Sequence, residues 1–188
     1  KVIEEVVKEK PKARWLFLTL STRNAIDGDT LEQSLKHLTK AFDRLSRYKK
    51  VKQNLVGFLR STEVTVNKND GSYNQHMHVL LCVESAYFRK KENYITQEEW
   101  VDLWQKALQV DYKPVANIKA IKPNKKGDKD IQAAIKETSK YSVKSSDYLT
   151  GNQEKDAEIV QDLEQGLYRK RMLSYGGLLK KKHKLLNL

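Results

Sequence analysis

The order of secondary structure predicted for this 188-residue chain indicates an α+β fold, a ferredoxin-like antiparallel sheet with helices packed on one face. Three observations support that class. Apolar, β-branched runs mark four strands, apolar residues spaced three and four apart mark the helices, and a hairpin signal joins the two middle strands. The resulting order is strand, helix, hairpin, helix, strand, helix, which is typical of such a sheet.

The first elements are a short N-terminal segment, a buried strand and an amphipathic helix. Residues 1–13 contain a short helix or arm followed by basic residues, and we assign them as a basic N-terminal arm. The continuous apolar run at 15–20 predicts a strand that is buried on both faces. The next helix is predicted to begin at Asp29, because Glu32 three residues later completes a capping box.

A hairpin with a metal-binding face is predicted from the next stretch. Asp70-Gly71 separates two apolar runs, and this dipeptide suits the two-residue type I′ turn of a hairpin. With that turn, Glu63 lies opposite His78, and His76 shares their face because residues two apart on a strand point the same way. Two imidazoles and one carboxylate on a rigid ladder predict a divalent metal site. The alternative is a pair of structural histidines.

The C-terminal half contains two further helices, a strand and a basic extension. Thr96 and Glu99 predict a capped helix, residues 115–121 predict a strand, and residues 130–144 predict a helix. On that last helix Glu137, Tyr141 and Lys144 lie within about 60° of one another around the helix axis. This arrangement is compatible with a network of polar side chains on the surface or with a functional site. Residues 151–188 are predicted to form a helical basic extension packed on a domain of residues 14–150. Within this extension a helix is predicted at 157–172, and Gly176-Gly177 is predicted to break the chain before a last basic amphipathic turn.

The net charge of +12 indicates a polyanionic partner, with nucleic acid ahead of an anionic membrane surface. The basic residues that we assign to DNA backbone contact are Lys122, Lys125, Lys126, Arg169, Arg171, Lys180 and Lys181. A solvated charged surface is the alternative for each cluster. The apolar runs are too short for a membrane span, and the single cysteine, Cys82, is expected to be a buried thiol. Because the chain begins at Lys1 rather than methionine, we expect it to be part of a longer protein.

Three short motifs resemble those of the HUH endonucleases, in particular the rolling-circle replication initiators of small Gram-positive plasmids. His76-Met77-His78 resembles the His-hydrophobic-His motif, and Phe-Leu-Thr-Leu-Ser-Thr at 17–22 resembles the first motif of the initiators. Residues 137–144, Glu-Thr-Ser-Lys-Tyr-Ser-Val-Lys, resemble the third motif, a tyrosine with a lysine three residues later. Residues 169–179 also resemble the plasmid group in which a glutamate, four residues before the tyrosine, replaces a second tyrosine.

The resemblance implies an HUH endonuclease fold, a site and a reaction. Tyr141 would attack a DNA phosphodiester to give a 5′-phosphotyrosine and a free 3′-OH, and Mg²⁺ or Mn²⁺ would be held by the predicted metal site. Glu137 would support hydrolytic termination of replication, and Lys144 belongs to the same catalytic motif. The residues near the first motif that are assigned to DNA binding are Thr19, Ser21 and Arg23.

The expected function is therefore initiation of plasmid rolling-circle replication, in the bacterial cytoplasm. The expected partner is single-stranded and hairpin DNA of a plasmid origin, with a host helicase, a host polymerase and a second copy of the chain as further candidates. Two alternatives stay open, a non-catalytic nucleic-acid-binding module and an HUH transposase. Glu137, four residues before Tyr141, favours the initiator over the transposase.

Overall fold

The computed structural model describes residues 2–121, 151–167 and 172–187, with no side chains described at 163–167 and 187. In chain order the described elements are α1 (Val2–Glu9), β1 (Arg14–Ser21), α2 (Gly28–Arg47), α3 (Lys49–Lys52), β2 (Leu55–Val66), β3 (Tyr73–Val83), α4 (Ala86–Arg89), α5 (Gln97–Leu108), β4 (Ala116–Ile121), α6 (Gln153–Leu167), β5 (Leu173–Gly176) and α7 (Gly177–Asn187). None of the helices in these ranges combines the length and the apolar character that crossing a membrane requires.

The five described strands form one antiparallel sheet with the order β4-β1-β3-β2-β5. The first four strands and the helices α2 and α5 give the β-α-β-β-α-β succession of a ferredoxin-like fold. The predicted α+β class is confirmed, and the architecture agrees with the HUH endonuclease fold. β3 lies at the centre of the sheet, and β1 and β2 on either side of it are inner strands, so each of the three has a neighbouring strand on both sides.

One face of the sheet packs against α2 and α5, which the apolar periodicity of both helices predicts. Leu18 of β1 and Val79 of β3 are fully buried in this core, together with Trp104 of α5. α2 is capped by Asp27, whose Oδ1 accepts a hydrogen bond from the backbone N–H of Thr30 at 2.7 Å. The predicted cap at Asp29 is therefore wrong, because the extended backbone that a cap requires occurs two residues earlier.

The predicted start of α5 is confirmed. Thr96 Oγ1 accepts a hydrogen bond from the backbone N–H of Glu99, and the Glu99 side chain accepts one from the backbone N–H of Thr96. This reciprocal pair satisfies two backbone donors at the helix start that have no partner within the helix.

Half of the opposite face is covered by α1 and α7. The buried residues of this second core are Ile3, Val6, Trp15, Leu59, Leu80, Cys82, Ile121 and Leu179. Lys182 of α7 forms an ion pair with Glu9 of α1 at 2.9 Å, which joins the two helices. Cys82 is buried as predicted, and burial raises the pKa of its thiol to about 12. The other half of this face carries the candidate site.

The C-terminal region contains a strand that the sequence did not predict. Residues 157–172 were predicted to be helical, whereas α6 ends at Leu167 and β5 then pairs with β2. The four residues of β5 are at the lower limit over which alternation identifies a strand, so its sequence signal is weak. The break predicted at Gly176-Gly177 is confirmed, since Gly177 has a φ of +58° and a Cβ on Gly176 would lie 2.1 Å from the Phe58 ring.

The hairpin loop is longer than the predicted two-residue turn. Val66 pairs with Tyr73, so six residues, 67–72, connect the strands. Two side chains stabilise this loop by accepting backbone N–H groups two residues ahead, Asn67 from Asn69 and Asp70 from Ser72, both at 2.9 Å. A type I′ turn at Asp70-Gly71 is therefore wrong, and Gly71 is the residue of the pair with positive φ, at +74°.

The longer loop shifts the strand register by two residues. Glu63 lies opposite His76 rather than the predicted His78, and His78 lies opposite Ser61. Because side chains alternate with a period of two, a shift of two residues leaves every side chain on the same face. The predicted pairing was wrong, whereas the predicted grouping of the three residues on one face is confirmed.

Candidate metal centre

Glu63, His76 and His78 form a compact cluster on the sheet. His78 Nε2 lies 3.0 Å from Glu63 Oε2, and His76 Nε2 lies 4.0 Å from the same oxygen. One ligand atom from each residue lies within 4.8 Å of the others. The side chains of Glu63 and His78 are 9% and 11% exposed and that of His76 is 20% exposed, so the cluster opens to solvent mainly at His76.

The alternation of β3 explains why the two histidines converge. Met77 between them is fully buried in the core beneath α2 and α5, which forces His76 and His78 to the opposite face. The register then brings Glu63 of β2 directly beside His76. Both strands are paired along their length, and a site on such rigid elements holds its geometry better than a site on loops.

The cluster can hold a divalent metal ion. Imidazole nitrogen together with carboxylate oxygen suits several divalent first-row ions, and carboxylate with water suits Mg²⁺ and Mn²⁺. Adjacent ligands around an octahedral ion with bonds of about 2.1 Å lie about 3 Å apart, which is the spacing of His78 Nε2 and Glu63 Oε2. Three protein ligands leave further positions open for water or a phosphate oxygen. Among the described residues, no other group of His, Cys, Asp or Glu meets the same spacing.

β1 provides the neighbouring wall of the cluster. Thr19 lies opposite His78 and Ser21 lies opposite His76, so both predicted DNA-binding residues border the candidate metal centre. Phe17 stacks on the His78 ring, with centroids 5.8 Å apart and an interplanar angle of 16°. His78 Nδ1 is buried without a hydrogen-bond partner in the described ranges. The ring is therefore oriented by Phe17 and by its contact with Glu63.

Arg23 lies just beyond the end of β1, beside Tyr112. Its guanidinium carbon is 4.3 Å from the centroid of the Tyr112 ring, and its backbone N–H donates to the Tyr112 hydroxyl at 3.1 Å. The same hydroxyl is 2.9 Å from Thr22 Oγ1. Arg23 is exposed, and its Cα is at most about 7 Å from that of Ser21, which borders the cluster. Arg23 therefore presents an exposed cation, held on Tyr112, two residues after Ser21.

Two residues of the site were missed by sequence reasoning. Phe17 precedes Thr19 by two residues, and Asn74 precedes His76 by two, so the alternation of a strand places both on the site face. Asn74 Oδ1 accepts a hydrogen bond from His76 Nδ1. Phe17 opens the motif at 17–22, but no role at the site was assigned to it, and an isolated asparagine such as Asn74 carries no motif that distinguishes it.

The hairpin loop and α6 enclose a groove of about 610 Å³ next to the strand ends. Tyr73 donates a hydrogen bond from its hydroxyl to Asp162 of α6 at 2.7 Å. Burial is the main cause that raises the pKa of the Tyr73 phenol, and the hydrogen bond to Asp162 adds to it. Tyr73 therefore keeps its proton and attaches α6 to the hairpin.

Several predicted residues lie outside the described residues or away from the cluster. Those outside the description are Lys122, Lys125, Lys126, Glu137, Tyr141, Lys144, Arg169 and Arg171. Lys180 and Lys181 are exposed on α7, which packs over the other half of the face that carries the cluster. Their assignment to DNA binding stays a prediction.

Comparisons with known proteins agree with the motifs. The sequence model of a family described as "Replication protein" matches residues 1–188. A "Replication protein" of Staphylococcus aureus is 53% identical over 188 residues, which is all of this chain and 80% of that protein. A "Protein rep" of Lactiplantibacillus plantarum is 55% identical over 180 residues, covering 95% of this chain and 57% of that protein.

A relative of lower identity also matches the whole chain. The "Protein rep" of Streptococcus pneumoniae is 46% identical over 188 residues and covers all of this chain and 56% of that protein. The chain thus spans between just over half and four fifths of the length of these relatives. No solved structure matches the chain significantly. The match of the family to the whole chain, together with these identities, shows that the chain belongs to the replication protein family.

Proposed function

We propose that this chain nicks a single DNA strand at a plasmid replication origin and transfers the 5′ end to its own tyrosine, so that the 3′ end primes rolling-circle synthesis. The observation that carries the proposal is the convergence of Glu63, His76 and His78 on one face of the two paired strands of the hairpin. Membership of the replication protein family favours an initiator over a transposase, and the buried carboxylate between two histidines favours a metal-dependent enzyme over a purely structural histidine pair.

The metal centre addresses the main obstacle to phosphodiester cleavage, which is the negative charge of the DNA backbone. Mg²⁺ or Mn²⁺ held by Glu63, His76 and His78 would supply a positive charge at the scissile phosphate and at the departing 3′ oxygen. The protein contributes a fixed arrangement of the three side chains on paired strands. The ring of Phe17 covers one side of His78 and limits its access to water.

We assign the nucleophile to Tyr141. Its phenolate oxygen would form a bond to phosphorus while the bond from phosphorus to the 3′ oxygen breaks, which leaves a 5′-phosphotyrosine and a 3′-OH. A phenol has a pKa near 10, so its proton must be lost for attack. Burial raises the pKa of Tyr73, Tyr87 and Tyr175, which makes these three tyrosines poor nucleophiles.

Glu137 and Lys144, the two other residues that we assign to catalysis in the third motif, have supporting roles in this proposal. Glu137 is a carboxylate one helical turn before the nucleophile in the predicted helix, where it can act as a general base for water. Hydrolysis of the phosphotyrosine by such a water would end a replication round. Lys144 would add positive charge near the anionic phosphate, in the same motif.

The experiment that tests this function uses single-stranded oligonucleotides from plasmid origins, incubated with the 188-residue chain and MnCl₂. Denaturing gels are expected to show a shortened 3′-OH fragment and a slower-migrating covalent protein–DNA adduct. Both products are expected to vanish with excess chelator and to return when MnCl₂ is restored. Persistent absence of cleavage across a panel of origins, from a folded protein that binds the same DNA, would overturn the proposed function.

Arg23 offers a first test of how DNA approaches the site. Replacing Arg23 with alanine is expected to weaken single-stranded DNA binding and to reduce the slope of log affinity against log salt by about 0.7, the value for one lost phosphate contact. The reason is that Arg23 is an exposed cation fixed on Tyr112 near Ser21. Fluorescence anisotropy titrations at several KCl concentrations measure the slope.

The matched control for this titration is Arg89→Ala. Arg89 is also exposed, at the end of α4, which follows the last residue of β3, whereas His76 and His78 lie near the first residues of that strand. Its replacement is expected to leave the salt slope at the parental value. A parental slope for Arg23→Ala, or an equal reduction for Arg89→Ala, would contradict a phosphate contact at the end of β1.

A further inference from the structure

A continuous chain of side-chain hydrogen bonds runs from the candidate metal centre to the hairpin loop. His76 Nδ1 contacts Asn74 Oδ1, and Asn74 Nδ2 donates to Asn24 Oδ1 at 2.9 Å. Asn24 Nδ2 donates to Ser72 Oγ at 2.8 Å, and the Ser72 hydroxyl donates to Asp70 Oδ1 at 2.6 Å. We call these four residues beyond His76 the asparagine relay.

The direction of the hydrogen bonds in the relay is fixed by its far end. The Asp70 carboxylate can only accept, so the Ser72 hydroxyl donates to it, and Ser72 Oγ is left to accept from Asn24. Asn24 then presents its carbonyl oxygen to Asn74, and Asn74 presents its own carbonyl oxygen to the imidazole. A carbonyl oxygen can only accept, so the proton of a neutral His76 ring lies on Nδ1.

This direction determines what His76 offers to the cluster. With the proton on Nδ1, the lone pair of a neutral ring lies on Nε2, the atom that is 4.0 Å from Glu63 Oε2. Histidines that bind metals commonly donate their other N–H to a carboxylate or carbonyl, which fixes tautomer and ring orientation. Here that acceptor is the Asn74 amide, and the relay connects it through Asn24 and Ser72 to the carboxylate of Asp70.

The backbone keeps the relay in place. Ala25, next to Asn24, pairs with Tyr73, next to Asn74, through two backbone hydrogen bonds of 2.7 and 2.9 Å. This isolated bridge brings the segment after β1 onto the start of β3. The Asp70 side chain is also held, because its Oδ1 accepts the backbone N–H of Ser72. Backbone hydrogen bonds therefore hold both ends of the relay in place.

We propose that Asn74 and Asn24 are positioning residues of the metal centre, which hold His76 in the Nδ1-protonated tautomer with Nε2 directed at Glu63. The inference rests on the proposed metal role of His76, and it adds two residues that act through that histidine without touching metal or DNA. It also connects the conformation of the hairpin loop to the geometry of the metal centre.

The test compares Mn²⁺ binding by the 188-residue parent chain and by Asn74→Leu, measured from the electron paramagnetic resonance signal of free Mn²⁺. Leucine keeps the approximate size of asparagine and removes the acceptor. Asn74→Leu is expected to bind Mn²⁺ about 10- to 100-fold more weakly, the usual cost of losing such a partner. Asn24→Leu is expected to show a smaller loss, because His76 keeps its direct acceptor.

Two variants separate positioning from packing. Asn74→Asp retains an oxygen that accepts from His76 Nδ1 and is expected to keep Mn²⁺ affinity within about threefold of the parent. Asn69→Ala changes an exposed asparagine of the same loop, outside the relay, and is expected to leave the affinity unchanged. An equal loss in Asn74→Asp and Asn74→Leu, or no loss in Asn74→Leu, would overturn the positioning role.

A second readout needs no metal. In ¹⁵N NMR spectra of the metal-free protein at pH 8, where an ordinary imidazole is neutral, His76 is expected to show the Nδ1-protonated tautomer in the parent and in Asn74→Asp. Asn74→Leu is expected to show a tautomer mixture, and an unchanged tautomer there would overturn the relay. If the parent binds no Mn²⁺, the proposed metal role fails, whereas this spectrum still decides the relay.

Discussion

Replacing His78 with alanine is expected to reduce metal-dependent nicking by well over 100-fold while DNA binding stays near the parental value. His78 Nε2 lies 3.0 Å from Glu63 Oε2, at the most buried side of the cluster. Loss of a residue that merely orients a metal ligand costs about 10- to 100-fold in affinity or activity, and loss of the ligand itself costs more. DNA affinity is expected to come mainly from basic side chains spread over the surface, and the substitution leaves these intact.

The measurement follows the rate of oligonucleotide cleavage in chelator-treated buffer after a defined addition of MnCl₂. His37→Gln is the matched control, because His37 lies on α2 and contacts the Leu108 carbonyl oxygen, which a glutamine amide can also reach. Parental cleavage by His78→Ala in this assay would eliminate the metal assignment. A loss of cleavage accompanied by a lower unfolding temperature and by weak DNA binding would point to misfolding, and His78→Gln then serves as the smaller perturbation.

The sequence was sufficient to predict that Glu63, His76 and His78 share one face of the sheet, but not which histidine lies opposite Glu63. The alternation of side chains along a strand places His76 and His78 on one face. Registers that differ by two residues all place Glu63 on that same face. The pairing depends on the loop, and the sequence signal of Asp70-Gly71 favoured two residues where the structure has six. Side-chain hydrogen bonds from Asn67 and Asp70 stabilise the longer loop, and these compete with the local turn preference in a way that a dipeptide cannot show.

The surroundings of the cluster were predicted less well, for a related reason. Thr19 and Ser21 were assigned from a motif, and the structure places both beside the histidines. Asn24 reaches the site only because Ala25 forms a bridge with Tyr73 across 48 positions of sequence. Contacts of this kind depend on the folded topology, so they cannot be predicted from local patterns of polarity and spacing.

Replacing Tyr141 with phenylalanine is expected to abolish the covalent adduct completely while leaving origin binding within about threefold of the parent. The change removes a single oxygen, the atom that would bond to phosphorus, and retains the aromatic ring. Because no other group is expected to form the phosphotyrosine, the loss should exceed that of any DNA-contact variant. Denaturing gels with a 5′-labelled and a 3′-labelled origin strand measure the adduct and the free 3′-OH fragment separately.

Two further tyrosines make this prediction specific. Tyr94→Phe changes an exposed tyrosine in the segment between α4 and α5 and is expected to form the adduct at the parental rate. Tyr112 is the one described tyrosine whose hydroxyl contacts Thr22 and Arg23 at the end of β1, which makes it the described phenol to test as a rival nucleophile. An adduct that persists in Tyr141→Phe and disappears in Tyr112→Phe would show that Tyr112, rather than Tyr141, is the nucleophile. The metal cluster would keep its role in that case, because its geometry is independent of which phenol attacks.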